Sequence, residues 1–200
     1  MLVEIGGGKG WTCVEEKDST TTIHAEGLQA GSSYDIPKLT QQTYNPIRAA
    51  NEIIDENYFI GKALGEAMNG YRPIVELMNT NFGIYGMAEL SSVGNTYATT
   101  GGKFDMPMTI IGAGGTAPNQ ALGVEHSQHL HAFVMGIPGL KICTATSPDA
   151  AYGITKSMIR DNDPCFLFAT VKMMKEAKGE IDIGKCINRQ VSNITSFLRR

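Results

Sequence analysis

The feature that most limits what this chain can fold into is a repeating texture that begins at Asn51. Four short apolar runs, "RPIVELM", "PMTII", "GLKICTA" and "CFLFA", alternate with longer stretches of helical period. Apolar runs of roughly four to eight residues bounded by turn signals read as buried strands, and strands separated by helices are joined by parallel crossovers. The predicted fold class is therefore α/β: a mostly parallel sheet with helices on both faces. On such a sheet, ligands sit at the carboxyl ends of the strands.

The helices follow from period and punctuation. Residues 57–69 place Phe59 or Ile60, Ala63, Leu64, Ala67 and Met68 on one face, and Gly70 stops the helix. A second helix is predicted over 82–99, a short one over 130–135, and a long loop over 112–124. Ser147 as N-cap, Pro148 in the first turn and Asp149 beside it open a helix that runs to about Arg160, with Pro164 beyond its end. The first fifty residues are polar and interrupted by Pro37 and Pro46, and read as a loosely ordered segment. Three regions are thus expected: 1–50 loosely ordered, 51–171 the α/β domain, and 172–200 an amphipathic or disordered tail.

Composition removes some classes of function. With 18% charged residues and a formal charge of -3, the chain carries no basic field for nucleic acid. No apolar run reaches the roughly 20 residues that span a bilayer, and no signal region follows Met1. Cys13, Cys143, Cys165 and Cys186 form no CxxC pair, a pattern of free structural thiols.

Two glycine-rich motifs invite a phosphate reading. In "GGGKG", Gly6 to Gly10, a glycine stands where the magnesium-binding Ser or Thr of a phosphate loop belongs. "GAGGTA", Gly112 to Ala117, follows a strand and fits a dinucleotide fingerprint, but Pro118 follows at once and the next strand ends in Thr144, Ala145 and Thr146, without a carboxylate for a ribose. The glycines are expected to let a loop backbone approach another chain or a ligand.

Chemistry concentrates in "VEHSQHLHAF", where His126, His129 and His131 are three of the four histidines in the chain. A metal site, polar residues at a helix start, and a single acid–base imidazole are all compatible with the pattern. Glu56, in "IIDEN", sits at a junction into a helix. It is either a first-turn charge favoured by the helix dipole or a buried acid with a raised pKa.

Taken in order, "IIDENYFIGKALGEAMNGYRPIVELMNTNF", "TTGGKFDMPMTII", "GVEHSQHLHAF", "IPGLKI" and "SPDAAYGITKSMIRDNDP" resemble the beta subunits of the pyruvate dehydrogenase component of the 2-oxoacid dehydrogenase complexes, nearest to the plastid and cyanobacterial type. The resemblance implies a thiamine diphosphate-binding, transketolase-like pyrimidine fold. It also implies an alpha2-beta2 heterotetramer with an alpha partner that holds Mg2+ and the diphosphate, delivery of acetyl groups to a dihydrolipoyl acetyltransferase, and a plastid location, with mitochondrial matrix and bacterial cytoplasm as alternatives. The alternative functions are a branched-chain 2-oxoacid dehydrogenase beta subunit and a non-catalytic truncated relative. By the same resemblance Glu56 is the acid at the aminopyrimidine and Phe82 packs on that ring. His126 moves a proton during acetyl transfer, and Met108, Met158 and Ile159, with Asp161 and Asp163 beside them, hold potassium. Where the family carries Arg-Gly-Pro, this chain has Ile111, Gly112 and Ala113, and Ala169 and Asp163 replace a glutamate and an asparagine. The family's Gly-Glu strand end has no visible counterpart in residues 1–50, and its carboxyl-terminal transketolase-like domain is expected to be missing.

Overall fold

The computed structural model describes residues 19–28, 47–117, 123–129 and 131–176. Six strands form one sheet, and every pairing between neighbours is parallel. In chain order they are β1 (Thr21–Glu26), β2 (Ala49–Glu52), β3 (Arg72–Leu77), β4 (Thr109–Gly114), β5 (Lys141–Thr144) and β6 (Cys165–Thr170). Across the sheet the order is β2-β1-β3-β4-β6-β5. The helices are α1 (Glu56–Met68), α2 (Met87–Thr99), α3 (His131–Met135), α4 (Pro148–Arg160) and α5 (Val171–Glu176).

Both faces of the sheet are covered because its central strands are apolar on both sides. Ile110 and Ile111 are adjacent in β4 yet belong to different cores, as do Phe166 and Leu167 in β6, since successive side chains on a strand point to opposite faces. One core packs Phe59, Ile60 and Ala63 of α1 and Leu90 and Val93 of α2 against Val75, Leu77, Ile110 and Phe166. The other packs Ala151, Met158 and Ile159 of α4 against Ile74, Ile111, Cys165 and Leu167. A fully buried Phe, Leu or Ile contributes roughly 1.5–3 kcal/mol. The fold therefore rests on both layers.

Local chemistry sets the helix ends. The Asp55 carboxylate accepts from Tyr58 N at 3.1 Å to cap α1, and Ser147 Oγ accepts from Ala150 N at 3.3 Å to cap α4. α4 ends at Arg160 as its sequence implies.

Three expectations change. Thr21–Glu26 is not loosely ordered; it is a strand buried along its whole length, second from the edge of the sheet. The helix predicted over 82–99 is broken into a 3-10 turn, Thr80–Ile84, and α2. The break falls where Gly86 lies against α1: a Cβ there would sit 2.5 Å from Ile60 Cδ1 and 3.1 Å from the Glu56 carbonyl oxygen. β4 also runs through Gly112 to Gly114, because Gly112, Ala113 and Gly114 pair with Phe168, Ala169 and Thr170, where a loop was predicted. Residues 172–176 continue α5, and the rest of the expected tail, "GGGKG", Cys13 and Cys186 lie outside the described residues.

Candidate functional site: two carboxylates and an imidazole at the carboxyl ends of the strands

Parallel strands direct their carboxyl ends to one edge, and three polar segments meet there. β1 ends on Glu26. β2 leads through the Asp55 cap into Glu56, the first residue of α1. β3 leads into the Thr80–Ile84 turn, which packs on a second 3-10 turn, Glu125–Ser127.

Glu56 is buried, 6% exposed. Burial raises its pKa above the usual carboxylate range, its own backbone N–H pulls the other way, and the neighbouring Asp55 charge adds to the rise. Of the two readings left open for Glu56, the buried acid is the one the fold produces. Glu26 is buried as well, and desolvation together with the charge of Glu56 pushes its carboxyl up to about 7. Its Oε1 has no hydrogen-bond partner among the described residues. Two acids that oppose each other's ionisation out of water hold a proton near neutral pH.

The aromatic and the imidazole come next. Phe82 is 8% exposed and meets His126 edge-on, with ring centroids 4.8 Å apart. The two turns are tied by polar bonds. Thr80 Oγ1 donates to the Gln128 carbonyl at 3.4 Å, Asn81 Nδ2 donates to the Glu125 carbonyl, and Tyr85 Oη donates to Glu125 Oε1 at 3.2 Å. Asn81 Oδ1 is a second buried polar atom without a partner among the described residues. Tyr85 links the halves of the site: its hydroxyl pKa is raised by the Glu125 bond and charge first and by Glu56 as well.

His129 and His131 are separate from this contact. Their rings lie 5.4 Å apart, and His131 stacks on Phe168 at 3.9 Å, where burial and then His129 lower its pKa. The glycines of "GAGGTA" make room for this same segment. A Cβ on Gly114 would sit 2.7 Å from Thr80 Oγ1 and 2.9 Å from the Gln128 carbonyl oxygen, and one on Gly115 would sit 2.5 Å from His129 Nε2. Their close approach is thus to the chain itself.

The remaining predicted residues gather at the opposite edge. Met108 precedes β4, Met158 and Ile159 close α4, and Asp161 and Asp163 precede β6. Lys141 Nζ contacts Asp161 Oδ2 at 2.7 Å and Asp163 Oδ2 at 2.6 Å. Burial pulls the lysine pKa down, but these two bonds and charges outweigh it and push it up. Arg72 Nη1 donates to the carbonyls of Ile159 at 3.1 Å and Asp161 at 3.0 Å. One ammonium is thus shared by the two carboxylates, and the Arg72 guanidinium already occupies the Ile159 carbonyl.

A family model described as the transketolase pyrimidine-binding domain matches residues 14–175. The chain belongs to that family. The pyrimidine-binding domain of this protein is 41% identical over 158 residues to a pyruvate dehydrogenase E1 component subunit beta of Porphyra purpurea, covering 78% of this chain and 47% of that one. It is 36% identical over 158 residues to a chloroplastic pyruvate dehydrogenase E1 component subunit beta-3 of Oryza sativa subsp. japonica, covering 78% of this chain and 40% of the relative. The chain spans about half the length of the curated relatives it matches. Among solved structures, a split-gene transketolase described as an inactive beta4 tetramer superposes with a TM-score of 0.59 at 14% identity, over 82% of this chain and 48% of that one, and shows the fold.

The match begins well before Asn51, so β1 is part of the domain. Glu26 is the site residue that the sequence reading passed over. Its signal was present in "HAEGL", a carboxylate followed by glycine, but "TTIHAE" lacks the apolar run by which a strand is recognised.

Proposed function

We propose that this chain is the cofactor-holding part of a thiamine diphosphate-dependent pyruvate dehydrogenase beta subunit, acting with an alpha subunit that supplies Mg2+ and the diphosphate site. The observation that carries the reading is the buried Glu56 carboxyl at the first turn of α1, set against Glu26 so that a proton stays available near neutral pH. The resident group also fits the residues present: an apolar aromatic at Phe82 and two buried, unpartnered acceptor oxygens, Glu26 Oε1 and Asn81 Oδ1, among the described residues at the same edge. An aminopyrimidine offers this edge ring nitrogens, an amino group and a flat apolar face.

Thiamine diphosphate, when bound, supplies a carbon acid that becomes the nucleophile toward a 2-oxoacid. Glu56 would hold a proton toward a ring nitrogen, with its burial and the neighbouring Asp55 charge opposing the loss of that proton. Phe82 and the packed turns exclude water from that proton, which strengthens the hydrogen bond. His126, held edge-on by Phe82, moves a proton at its ring nitrogen when the acetyl group passes to the lipoyl arm of a dihydrolipoyl acetyltransferase. Pyruvate, rather than a branched-chain 2-oxoacid, is favoured by the names of the relatives, and the chloroplastic rice relative supports a plastid location. The backbone carbonyls of Met108, Met158 and Ile159 would be the groups to hold a potassium ion.

The test is reconstitution with a matched alpha subunit. We expect the chain alone to show no calorimetric binding of thiamine diphosphate, and the assembled complex to exchange the cofactor's C2 hydrogen and to prefer pyruvate. Glu56→Gln should abolish exchange and leave assembly intact. Sub-millimolar binding without a partner, or full exchange in the variant, would falsify the assignment.

A further inference from the structure

Below the two acids, β1 and α1 share a buried charged seam that the proposed chemistry does not use. Alternate residues of β1 face the same side, so Thr22, His24 and Glu26 line up along the strand while Ile23 packs into the opposite core. His24 is 1% exposed. Its Nδ1 lies 2.7 Å from Glu52 Oε1 on β2, and its Nε2 lies 2.9 Å from Glu66 Oε2 on α1. Thr22 Oγ1 donates to the same Glu66 oxygen, and Lys62 Nζ, also on α1, donates to Glu52 Oε1 at 2.7 Å. The seam thus sets His24 and Lys62 between two carboxylates, Glu52 and Glu66. Burial works against both carboxylates, but their bonds to Lys62, His24 and Thr22 lower their pKa values overall.

The seam and the acid pair lie along the same two elements. Glu66, near the end of α1, is bonded to Thr22 and His24 of β1, while Glu56 starts α1 and Glu26 ends β1, near enough for the charge of Glu56 to raise the Glu26 pKa. The bonds at Glu66 attract, and the two upper charges repel. The bonds from His24 reach the ends of both other elements that lead to Glu56, namely β2 through Glu52 and α1 through Glu66. We infer that His24 is a positioning residue: by joining Glu52 and Glu66 it fixes α1 on β1 and β2 and so sets where Glu56 stands relative to Glu26. Its importance for turnover rests on the reading of Glu56 above. Its effect on geometry does not.

The test reads the geometry directly, by titrating the Glu26 carboxyl with 13C NMR in the full chain. The charged and titratable groups near it are Glu56 and, around Glu56, Asp55 and Tyr85, with Glu52, Glu66, Lys62 and His24 below. Glu56→Gln should lower the Glu26 midpoint by about one pH unit, which establishes the pair. His24→Leu should lower it in the same direction by at least half as much, because the pair separates. Glu66→Gln keeps the side-chain volume and serves if the leucine variant fails to fold; it should give a smaller downward shift. A folded His24→Leu or Glu66→Gln chain with an unmoved Glu26 midpoint overturns the inference, as does a Glu26 midpoint indifferent to Glu56→Gln. Loss of C2 exchange in the reconstituted Glu56→Gln complex is read separately and bears on the functional reading alone.

Discussion

Phe82 and His126 meet edge-on, with ring centroids 4.8 Å apart, although 43 residues and the whole of α2 and β4 separate them in the chain. The positive edge of one ring against the face of another is worth roughly 0.5–1.5 kcal/mol beyond buried area, enough to favour one orientation of a half-exposed imidazole. His126→Gln should leave the C2 exchange of a reconstituted complex near the wild-type rate and lower acetyl transfer to lipoamide by about 10²–10⁴-fold, the usual share of a general acid–base group. Phe82→Ala should impair both, since it removes the ring beside the cofactor and frees the imidazole. Equal losses in the two assays for His126→Gln would sink the division of labour.

Glu26 provides a pH signature. Its carboxyl sits at about 7 in the fold, raised by burial and by Glu56, whereas an unfolded glutamate ionises near the ordinary 4.5. Between those values the unfolded chain gives up a proton that the folded chain retains, so stability falls as pH rises through this window. At about 1.36 kcal/mol per pH unit the loss is at most roughly 3 kcal/mol. Glu26→Gln should remove most of this slope. Urea midpoints at pH 5 and pH 7.5 check it, and parallel pH dependence in the two proteins would count against a shared proton.

An element is legible in the sequence to the extent that apolar burial, which leaves a period, is the force that made it. β3, β4 and β6 and helices α1 and α4 were readable because apolar burial wrote a period into them, and because Gly70, Ser147 and Pro148 mark their ends. β1 was not readable, because the face beneath α1 is held by His24 and its carboxylates instead of by apolar packing. Glu56, Phe82 and His126 were picked out by motif, and the fold brings them to one edge. The motif was silent about Glu26, whose significance lies in its burial and in the charge of Glu56 across the β1–α1 boundary. Met108, Met158, Ile159, Asp161 and Asp163 lie at one edge, but periodicity gives no hint that Lys141 and Arg72 bond to Asp161, Asp163 and the Ile159 carbonyl there.

Two glycines in the helices should behave in opposite ways. In α2, a Cβ on Gly94 would lie 2.4 Å from Ile137 Cγ2 and 2.5 Å from the Pro138 carbonyl oxygen, and the latter is backbone that cannot swing aside. Gly94→Ala should cost about 1–3 kcal/mol through overpacking. In α1, a Cβ on Gly65 meets nothing within 4 Å, so Gly65→Ala should stabilise by about 0.5–1 kcal/mol through helix propensity. Melting temperatures should move by a few degrees in opposite directions. A Gly94→Ala protein as stable as wild type would show that α2 does not pack closely on the turn before β5.

Gly114, at the end of β4, sits beneath the contact between the two turns of the site. A methyl group there would press on Thr80 Oγ1 at 2.7 Å, His129 Nδ1 at 2.8 Å and the Gln128 carbonyl oxygen at 2.9 Å, the same hydroxyl and carbonyl that bond each other. Gly114→Ala would wedge the Thr80–Ile84 turn away from residues 125–129 and so part Phe82 from His126. Glu56 and Glu26, on α1 and β1 respectively, lie outside the wedge. The expected result is a modest loss of stability, about 1–3 kcal/mol, with acetyl transfer reduced at least tenfold and C2 exchange largely retained. The opposite pattern, exchange lost while transfer per exchanged cofactor is unchanged, would mean that this glycine supports the acid pair and that the two halves of the site are mechanically one.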